Sequence, residues 1–491
     1  MISSFLRRLG SPTRIKTIGM VGASIQGSHR SLSSSTEVPK SSRKYDMVIS
    51  GGGIVGAALA CRIAGTETSA MLDRRIACLE AFLPKSFADV TSTSSVDLRT
   101  YAIAPRSAKL LEEIGVWSRI VQSGRCQPFS SMQVWDATGH PDSFINFSAG
   151  ENLGYIVENS VLQSALYEKM LELKERGRLD VLCPSTVETI QEVDMGGYLV
   201  KASTDEHEFY TNLLVAADGG NSKIRKLLGF GSWGWSYEQN AIVATVKLDV
   251  EGMLADDDGE AIDFLTGRVC KTWQRFLPTG PVAILPLWDN MASIVWSTSI
   301  EDTKSLKDCT GDEFVSRLNA AFQEECIGSR MPSFLPPNPL TALFGKNGSE
   351  SFTPAPVITE LCSPRFSFPL QLSQASTYAK RGVALIGDAA HTVHPMAGQG
   401  LNLGLGDVDV LSGLLDEVNS TGGNFGDMNV LKEYEKERKD ANVMMASSLD
   451  VLKRIFDSES LPLQAARGLG MSALNSAPIV KEKIAKYAMG L

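Results

Sequence analysis

The stretch Tyr45-Asp46-Met47-Val48-Ile49-Ser50-Gly51-Gly52-Gly53-Ile54-Val55-Gly56-Ala57-Ala58-Leu59 decides how this chain is read. Tyr45 to Ile49 has the composition of a short buried strand, and Ile54 to about Ala64 that of a helix. Between them Gly51, Gly53 and Gly56 form a GxGxxG pattern. Such glycines permit a tight turn and a close backbone approach to a pyrophosphate, which then sits at the helix N-terminus. The pattern alone is a weak signal; its strand-turn-helix context strengthens it. A glycine-rich turn without a ligand is the simpler alternative. Ser50 departs from the apolar residue more usual at that strand end. An acidic partner for a ribose hydroxyl is expected where the second strand ends. Glu80, closing Ile76-Ala77-Cys78-Leu79, fits that place, and Asp73 competes with it.

Further along, helical spacing covers Arg106 to Ile120 and Val157 to Leu173, and Leu213 to Ala217 reads as a strand delivering Asp218. Between Trp235 and Trp296 the pattern becomes β-rich. A proline-rich connection or flap follows, with Pro332, Pro336, Pro337, Pro339, Pro354 and Pro356. Val383 to Ile386 is again a strand. Asn402 to Val418 and most of the chain beyond Met428 read as helix. Nucleotide-domain elements thus come first, are interrupted, and resume near residue 380. The predicted fold is α/β (α+β). A discontinuous Rossmann-like domain (41–125, 150–230 and 365–415) carries an inserted β-sheet domain (126–149 and 231–364) and a C-terminal helical region (416–491).

The 491 residues are too many for one simple core. Apolar residues make up 43%, charged residues 21%, and the mean hydropathy is −0.03, a globular balance. A net charge of −9 speaks against a nucleic-acid partner. The first 36 residues contain no Asp or Glu but carry Arg7, Arg8, Arg14, Lys16 and Arg30 among many serines. That composition predicts a mitochondrial transit peptide over about 1–40, with a disordered basic tail as the plainer alternative. No apolar run of about 18 residues suggests a transmembrane helix. The eight cysteines are scattered without a CxxC pair, as in a reducing compartment. No clustered metal ligands are seen.

Two further motifs carry chemistry. One is Ala217-Asp218-Gly219-Gly220-Asn221-Ser222. The other runs Ala384-Leu385-Ile386-Gly387-Asp388-Ala389-Ala390-His391 and continues through Pro395 to Gly398-Gln399-Gly400-Leu401-Asn402. In the latter a buried strand hands a carboxylate to a loop, and a glycine turn opens a helix. With the first motif, these residues resemble the FAD-dependent aromatic hydroxylase family, the group that includes para-hydroxybenzoate hydroxylase. The resemblance covers about Lys44 to Leu415. Asp97-Leu98-Arg99-Thr100-Tyr101-Ala102-Ile103-Ala104-Pro105 and Gln274-Arg275-Phe276-Leu277-Pro278 look like the UbiH-type ubiquinone-biosynthesis monooxygenases within that family, and the basic leader looks like their mitochondrial members.

The resemblance implies FAD as cofactor, with Gly51, Gly53 and Gly56 on its diphosphate and Glu80 on the adenosine ribose. It places Arg99 beside the FAD, Asp218, Gly219, Gly387 and Asp388 in the two later FAD motifs, and Pro395, Gly400, Leu401 and Asn402 near the flavin ring. It implies hydroxylation of a polyprenylated phenol or benzoate by dioxygen through a flavin hydroperoxide, with the flavin carrying the chemistry and no catalytic side chain identified. The implied electron donor is NADPH or a ferredoxin with its reductase. The implied setting is the matrix face of the mitochondrial inner membrane, in peripheral contact with it and beside other ubiquinone-biosynthesis proteins. An epoxidase or prenyl reductase of the same fold remains an alternative, as does an FAD-holding scaffold of a ubiquinone-synthesis complex.

Other features read less sharply. His391 and His394 form HxxH but fit a flavin loop better than a metal site. Trp233-Gly234-Trp235 reads as packing or substrate-wall aromatics. Phe276, Leu277, Ile284, Leu285 and Trp296 read as sheet core, part of which could line an apolar tunnel. The Leu461 to Leu491 stretch is either a packed helical end or a membrane contact through Leu463, Leu469, Met471 and Leu474.

Overall fold

The computed structural model describes residues 42–491 apart from 69–70, 72, 139–142, 149–150, 194–195, 204–207, 251–261, 264–267, 324–351, 395–397, 459, 476 and 490–491. The expected leader, Pro332, Pro336, Pro337, Pro339 and Pro395 lie outside the described residues.

The apolar run at the start forms the strand Arg43–Ser50, buried from Met47 onward. It can be apolar throughout because it is paired on both sides in a parallel sheet. Glu208–Ala216 lies on one side and Ile76–Leu79 on the other. Val383–Leu385 and Asp180–Leu182 extend the sheet, again in parallel. The hairpin of Val187–Glu192 and Tyr198–Ala202 is added antiparallel. The helix Ile54–Ala64 is rich in alanine and almost wholly buried. It packs with the helices Asn159–Glu175 and Gln399–Ser420.

The second sheet runs in the order His391–Thr392, Phe366–Ala375, Ser232–Leu248, Met291–Ser299, Gly280–Pro286, Lys271–Leu277, Ser131–Asp136, Phe144–Ser148, with Ile358–Leu361 beside Ser232–Leu248. Side chains alternate between its faces. Ile242, Trp273, Val282, Ile284, Ile294 and Trp296 pack with Leu306, Phe314 and Leu318 of the helices Ile300–Asp308 and Gly311–Gln323. Their neighbours Val243, Gln274, Ala283, Leu285 and Val295 face a cavity on the other side. The apolar group expected here is therefore divided. Ile284 and Trp296 are core, Leu285 lines the cavity, and Phe276 stacks on Phe456 with ring centroids 3.8 Å apart.

Several elements differ from expectation. The helix expected over Arg106 to Ile120 is two, Pro105–Ile114 and Trp117–Gln122, separated at Gly115, which adopts φ 86°. The helix expected from Val157 begins at Asn159, because Gly154–Glu158 pairs as a strand with Thr100–Ile103 and Cys126–Phe129. Trp233 and Trp235 are 44% and 39% exposed and line no part of the cavity, so they are surface aromatics rather than wall residues.

The C-terminal region forms Met428–Phe456, Leu461–Asn475 and Pro478–Met489. Met471 is buried and Leu474 packs beside it against Val134, Ile145 and Phe276, so the sheet takes these two side chains from any membrane. A buried ion pair between Arg467 and Asp136 at 2.6 Å holds this helix to the sheet. Leu463 and Leu469 remain exposed. On the last helix Ile479, Val480, Ile484 and Tyr487 point outward while Ala485 and Met489 are buried and reach the cavity. Among the described residues no helix is long and apolar enough to cross a membrane.

Candidate functional site

Strand register brings the separated motifs to one edge. Ser50 stands beside Leu79 and Ala216, and Ala216 beside Leu385. The residues that follow, Gly51, Glu80, Asp218 and Gly387, therefore leave the parallel sheet together at its carboxyl end, where ligands bind in such sheets. Asp73 precedes its strand, at the opposite end of it, and is exposed, which separates the two acidic candidates.

The first turn requires glycine. Gly51 has φ 106°, and a Cβ on it would lie 2.3 Å from the Ala217 carbonyl oxygen. A Cβ on Gly56 would lie 1.9 Å from the Gly51 oxygen. Gly53 has open space in front of it and lines the cavity. Glu80 accepts hydrogen bonds from the backbone of Gly52 at 2.6 Å and of Phe82 at 3.1 Å, which fixes its carboxylate against the turn. Asp218 accepts from the backbone of Lys223 and Ile224 at 2.7 and 3.1 Å through one oxygen; its other oxygen is buried without a partner among the described residues.

The motifs open onto a cavity of about 780 Å³. Of the residues singled out in the sequence, Gly53, Arg99, Gly219, Asp388, Gly400, Leu401 and Asn402 line it. Gly51, Gly56, Glu80, Asp218 and Gly387 stand behind that lining. Among the described residues the Arg99 guanidinium makes no ion pair. The helix Gln399–Ser420 starts at the cavity, preceded by Gly398 with φ 61° and no capping side chain. Its first backbone N–H groups and the positive end of its dipole face the space, suiting an electron-rich partner. Asn402 fixes this helix start to the neighbouring strand: it accepts from the Ala104 backbone at 2.9 Å and donates to the Ala102 carbonyl at 2.8 Å.

Asp388 is exposed, yet to the cavity. Withdrawal from bulk water raises its pKa; His391 opposes that rise and the Asp407 charge adds to it. Behind it lies a buried cluster that no sequence motif announced. Asp407 accepts from Gly387 N at 2.9 Å, His391 Nε2 at 2.6 Å, Arg438 Nε at 2.8 Å and Asn442 Nδ2 at 3.2 Å. Burial alone would raise the Asp407 pKa, but His391 and Arg438 hold it below the usual carboxylate range. His394 is also buried, and burial with nearby Lys453 pushes its pKa down to about 4. Among the described residues no group of three His, Cys, Asp or Glu side chains could hold a metal ion.

Sequence reasoning also missed Asn159 and Gln163, which line the cavity from the first turns of the helix Asn159–Glu175. The single polar faces of these residues in an otherwise ordinary helix gave no distinctive spacing. Thr272 went unremarked in the mixed strand Lys271–Leu277, and Gln274 of that strand entered only through the resemblance, with no role given to it. The open space before Gly53, the uncapped helix start and the carboxylate of Asp388 together fit a dinucleotide cofactor with a long ribityl chain.

The comparisons agree with this geometry. The FAD binding domain family matches residues 45–334 and 354–447. The ubiquinone biosynthesis monooxygenase COQ6, mitochondrial, of Danio rerio is 36% identical over 483 residues, covering 94% of this chain and 93% of that protein. Its Xenopus tropicalis counterpart is 37% identical, covering 90% and 93%. Among solved structures, p-nitrophenol 4-monooxygenase PnpA from Pseudomonas putida superposes with a TM-score of 0.63 at 16% identity, covering 91% of this chain and 98% of that one. With both the motif edge and the cavity in place, and with that identity running nearly end to end, the chain belongs to the family of FAD-binding monooxygenases that contains the mitochondrial ubiquinone biosynthesis monooxygenases.

Proposed function

We propose that this chain is an FAD-dependent monooxygenase that hydroxylates the aromatic ring of a polyprenylated phenol or benzoate intermediate of ubiquinone biosynthesis. The observation that carries the reading is one continuous cavity. It has FAD motifs on one wall and, on the other, a β-sheet face that is apolar apart from Thr272, Gln274 and Ser297. Identity to the ubiquinone-biosynthesis relatives over most of the chain supports the substrate class.

FAD, when bound and reduced, activates dioxygen and supplies the oxygen atom. The chain does the rest. Gly51, Gly53 and Gly56 bring backbone to the diphosphate and Glu80 takes the adenosine ribose. Arg99, which makes no ion pair among the described residues, offers charge to the cofactor. Asp218, Gly219, Gly387 and Asp388 would take the remaining contacts, and Gly400, Leu401 and Asn402 would hold the flavin; Pro395, expected there too, lies outside the described residues. The sheet wall orients the ring and excludes water, which strengthens every polar contact inside. In this reading the inserted sheet is the substrate domain and the interrupted parallel sheet the FAD domain.

The donor is NADPH or a ferredoxin with its reductase, and the site of work is the matrix face of the mitochondrial inner membrane. The outward Ile479, Val480, Ile484 and Tyr487 give the last helix an apolar face for peripheral contact, with Lys483 and Lys486 suited to anionic headgroups. The test is product analysis. The purified chain should carry FAD and, given reductant and a short-tailed 3-prenyl-4-hydroxybenzoate, take up oxygen and place one labelled atom from ¹⁸O₂ on the ring. A product saturated in its prenyl tail and free of label would instead favour the reductase alternative. FAD without any turnover would favour the scaffold.

A further inference from the structure

The sheet wall of the cavity changes character along one row of side chains. Gln274 stands opposite Ala283, Ala283 opposite Val295, Val295 opposite Val243, and Val243 opposite Phe366. All five face the cavity. Four strand spacings of about 4.8 Å make this row roughly 19 Å long. It is polar at one end and apolar for the remainder, and Phe366 at the far end is 47% exposed, so the apolar end reaches the surface.

Thr272 adjoins the polar end, two residues from Gln274 on the same face of the strand Lys271–Leu277. Thr272 is 2% exposed and Gln274 7%. The Thr272 hydroxyl is buried with no hydrogen-bond partner among the described residues, and Thr272 is one of the residues that line the cavity. A buried hydroxyl left so costs about 1–3 kcal/mol, which a ligand oxygen would restore. The charged side chains in the described lining, Arg99 and Asp388, both belong to the cofactor wall. Recognition on the sheet wall is therefore by neutral hydrogen bonds.

We propose that Thr272 and Gln274 form the subsite for the phenolic oxygen of the ring, with the prenyl tail laid along Ala283, Val295, Val243 and Phe366. A phenol hydroxyl both donates and accepts. Gln274 donates through its NH₂ and accepts through its carbonyl, and the Thr272 hydroxyl does either, so the pair satisfies both valences of one phenol. A methyl ether can only accept and adds bulk at that point. This assignment rests on the ring-hydroxylase reading and adds the group by which the ring is oriented.

The test is calorimetric titration of the full FAD-loaded chain, without reductant, using 2-prenylphenol and its methyl ether, 2-prenylanisole. Wild type should bind the phenol about tenfold more tightly, the worth of one well-made hydrogen bond. Thr272→Val and Gln274→Leu should each bring that ratio toward one while the flavin absorption stays unchanged. Val295→Ala, two strand spacings from Gln274 and so within reach of a single prenyl group, should weaken both ligands alike. A wild type that does not distinguish the two ligands would overturn the assignment, as would a full preference retained in both variants. Two variants are used so that a folding defect in one leaves the other decisive. The outcome is separable from the hydroxylase reading. A preference lost in the variants, with no labelled product from wild type, would keep the subsite and remove the reaction. Labelled product with an unchanged ratio would do the reverse.

Discussion

Replacing Asp407 by asparagine probes the buried cluster behind the cofactor loop. Asp407 is fully buried, and its two oxygens accept from Gly387, His391, Arg438 and Asn442. Asparagine keeps the shape but turns one oxygen into a donor. That NH₂ must face either Gly387 N and His391 Nε2 or Arg438 Nε and Asn442, and donors meet donors in both settings. Arg438 also loses its counter-ion; among the described residues its remaining bonds go to the Leu403 carbonyl and the Asn442 side-chain oxygen. Breaking one half of a buried pair costs about 3–5 kcal/mol, a large share of the roughly 5–15 kcal/mol that holds a domain together. Urea unfolding of the FAD-free protein should therefore shift by that amount. Because Gly387 N is one of the four donors, the loop carrying Asp388 loosens as well, and FAD affinity should fall at least about tenfold. The double replacement Asp407→Leu with Arg438→Met separates the two effects: it should recover much of the stability, since apolar substitutes for buried pairs are often neutral, but not the FAD affinity. A loss below about 1 kcal/mol in Asp407→Asn, or full FAD affinity in the double variant, would refute the role given to this cluster.

Three further outcomes follow from the same geometry. His394 has a pKa lowered in the folded state to about 4 from 6.5, so the unfolded chain binds the proton first as pH falls. Stability should drop by about 3 kcal/mol between pH 6.5 and 4 in wild type, and less in His394→Asn, by urea unfolding across that range. Asp388 is charged at a cost in the FAD-free protein because its folded pKa is raised, so Asp388→Asn should raise the melting temperature of the FAD-free form at neutral pH while weakening FAD binding. Gly56→Ala forces a Cβ to 1.9 Å from the Gly51 oxygen, and should destabilise by about 1–3 kcal/mol or more and abolish the flavin absorption of the purified protein.

The cofactor edge was readable because its chemistry is local. A glycine that must take φ 106° can be seen in the chain, and so can an acid that closes a buried strand or a carboxylate set after Ile386. The interruption by a β-rich segment was readable too, since its period of two differs from the helical spacing around it. Breaks within helices were less so. Gly115 halts one helix through a left-handed turn that its apolar spacing conceals, and the strand Gly154–Glu158 exists only because two distant strands pair with it.

What the residues alone specified was therefore the cofactor, the order of the motifs and the interrupted α/β plan, each carried by groups near one another in the chain. The packed molecule decided the rest. In the strand Gly280–Pro286 both faces are apolar, so alternation cannot say that Ile284 meets helices while Leu285 meets a cavity; that depends on which layer covers which side. It decided that Met471 faces the sheet rather than a membrane. It also joined Asp407 to Arg438, and set Thr272 beside a cavity with its hydroxyl unpaired among the described residues. These choices are tertiary because burial, and the cost of an unpaired polar group, exist only once distant segments have closed around it.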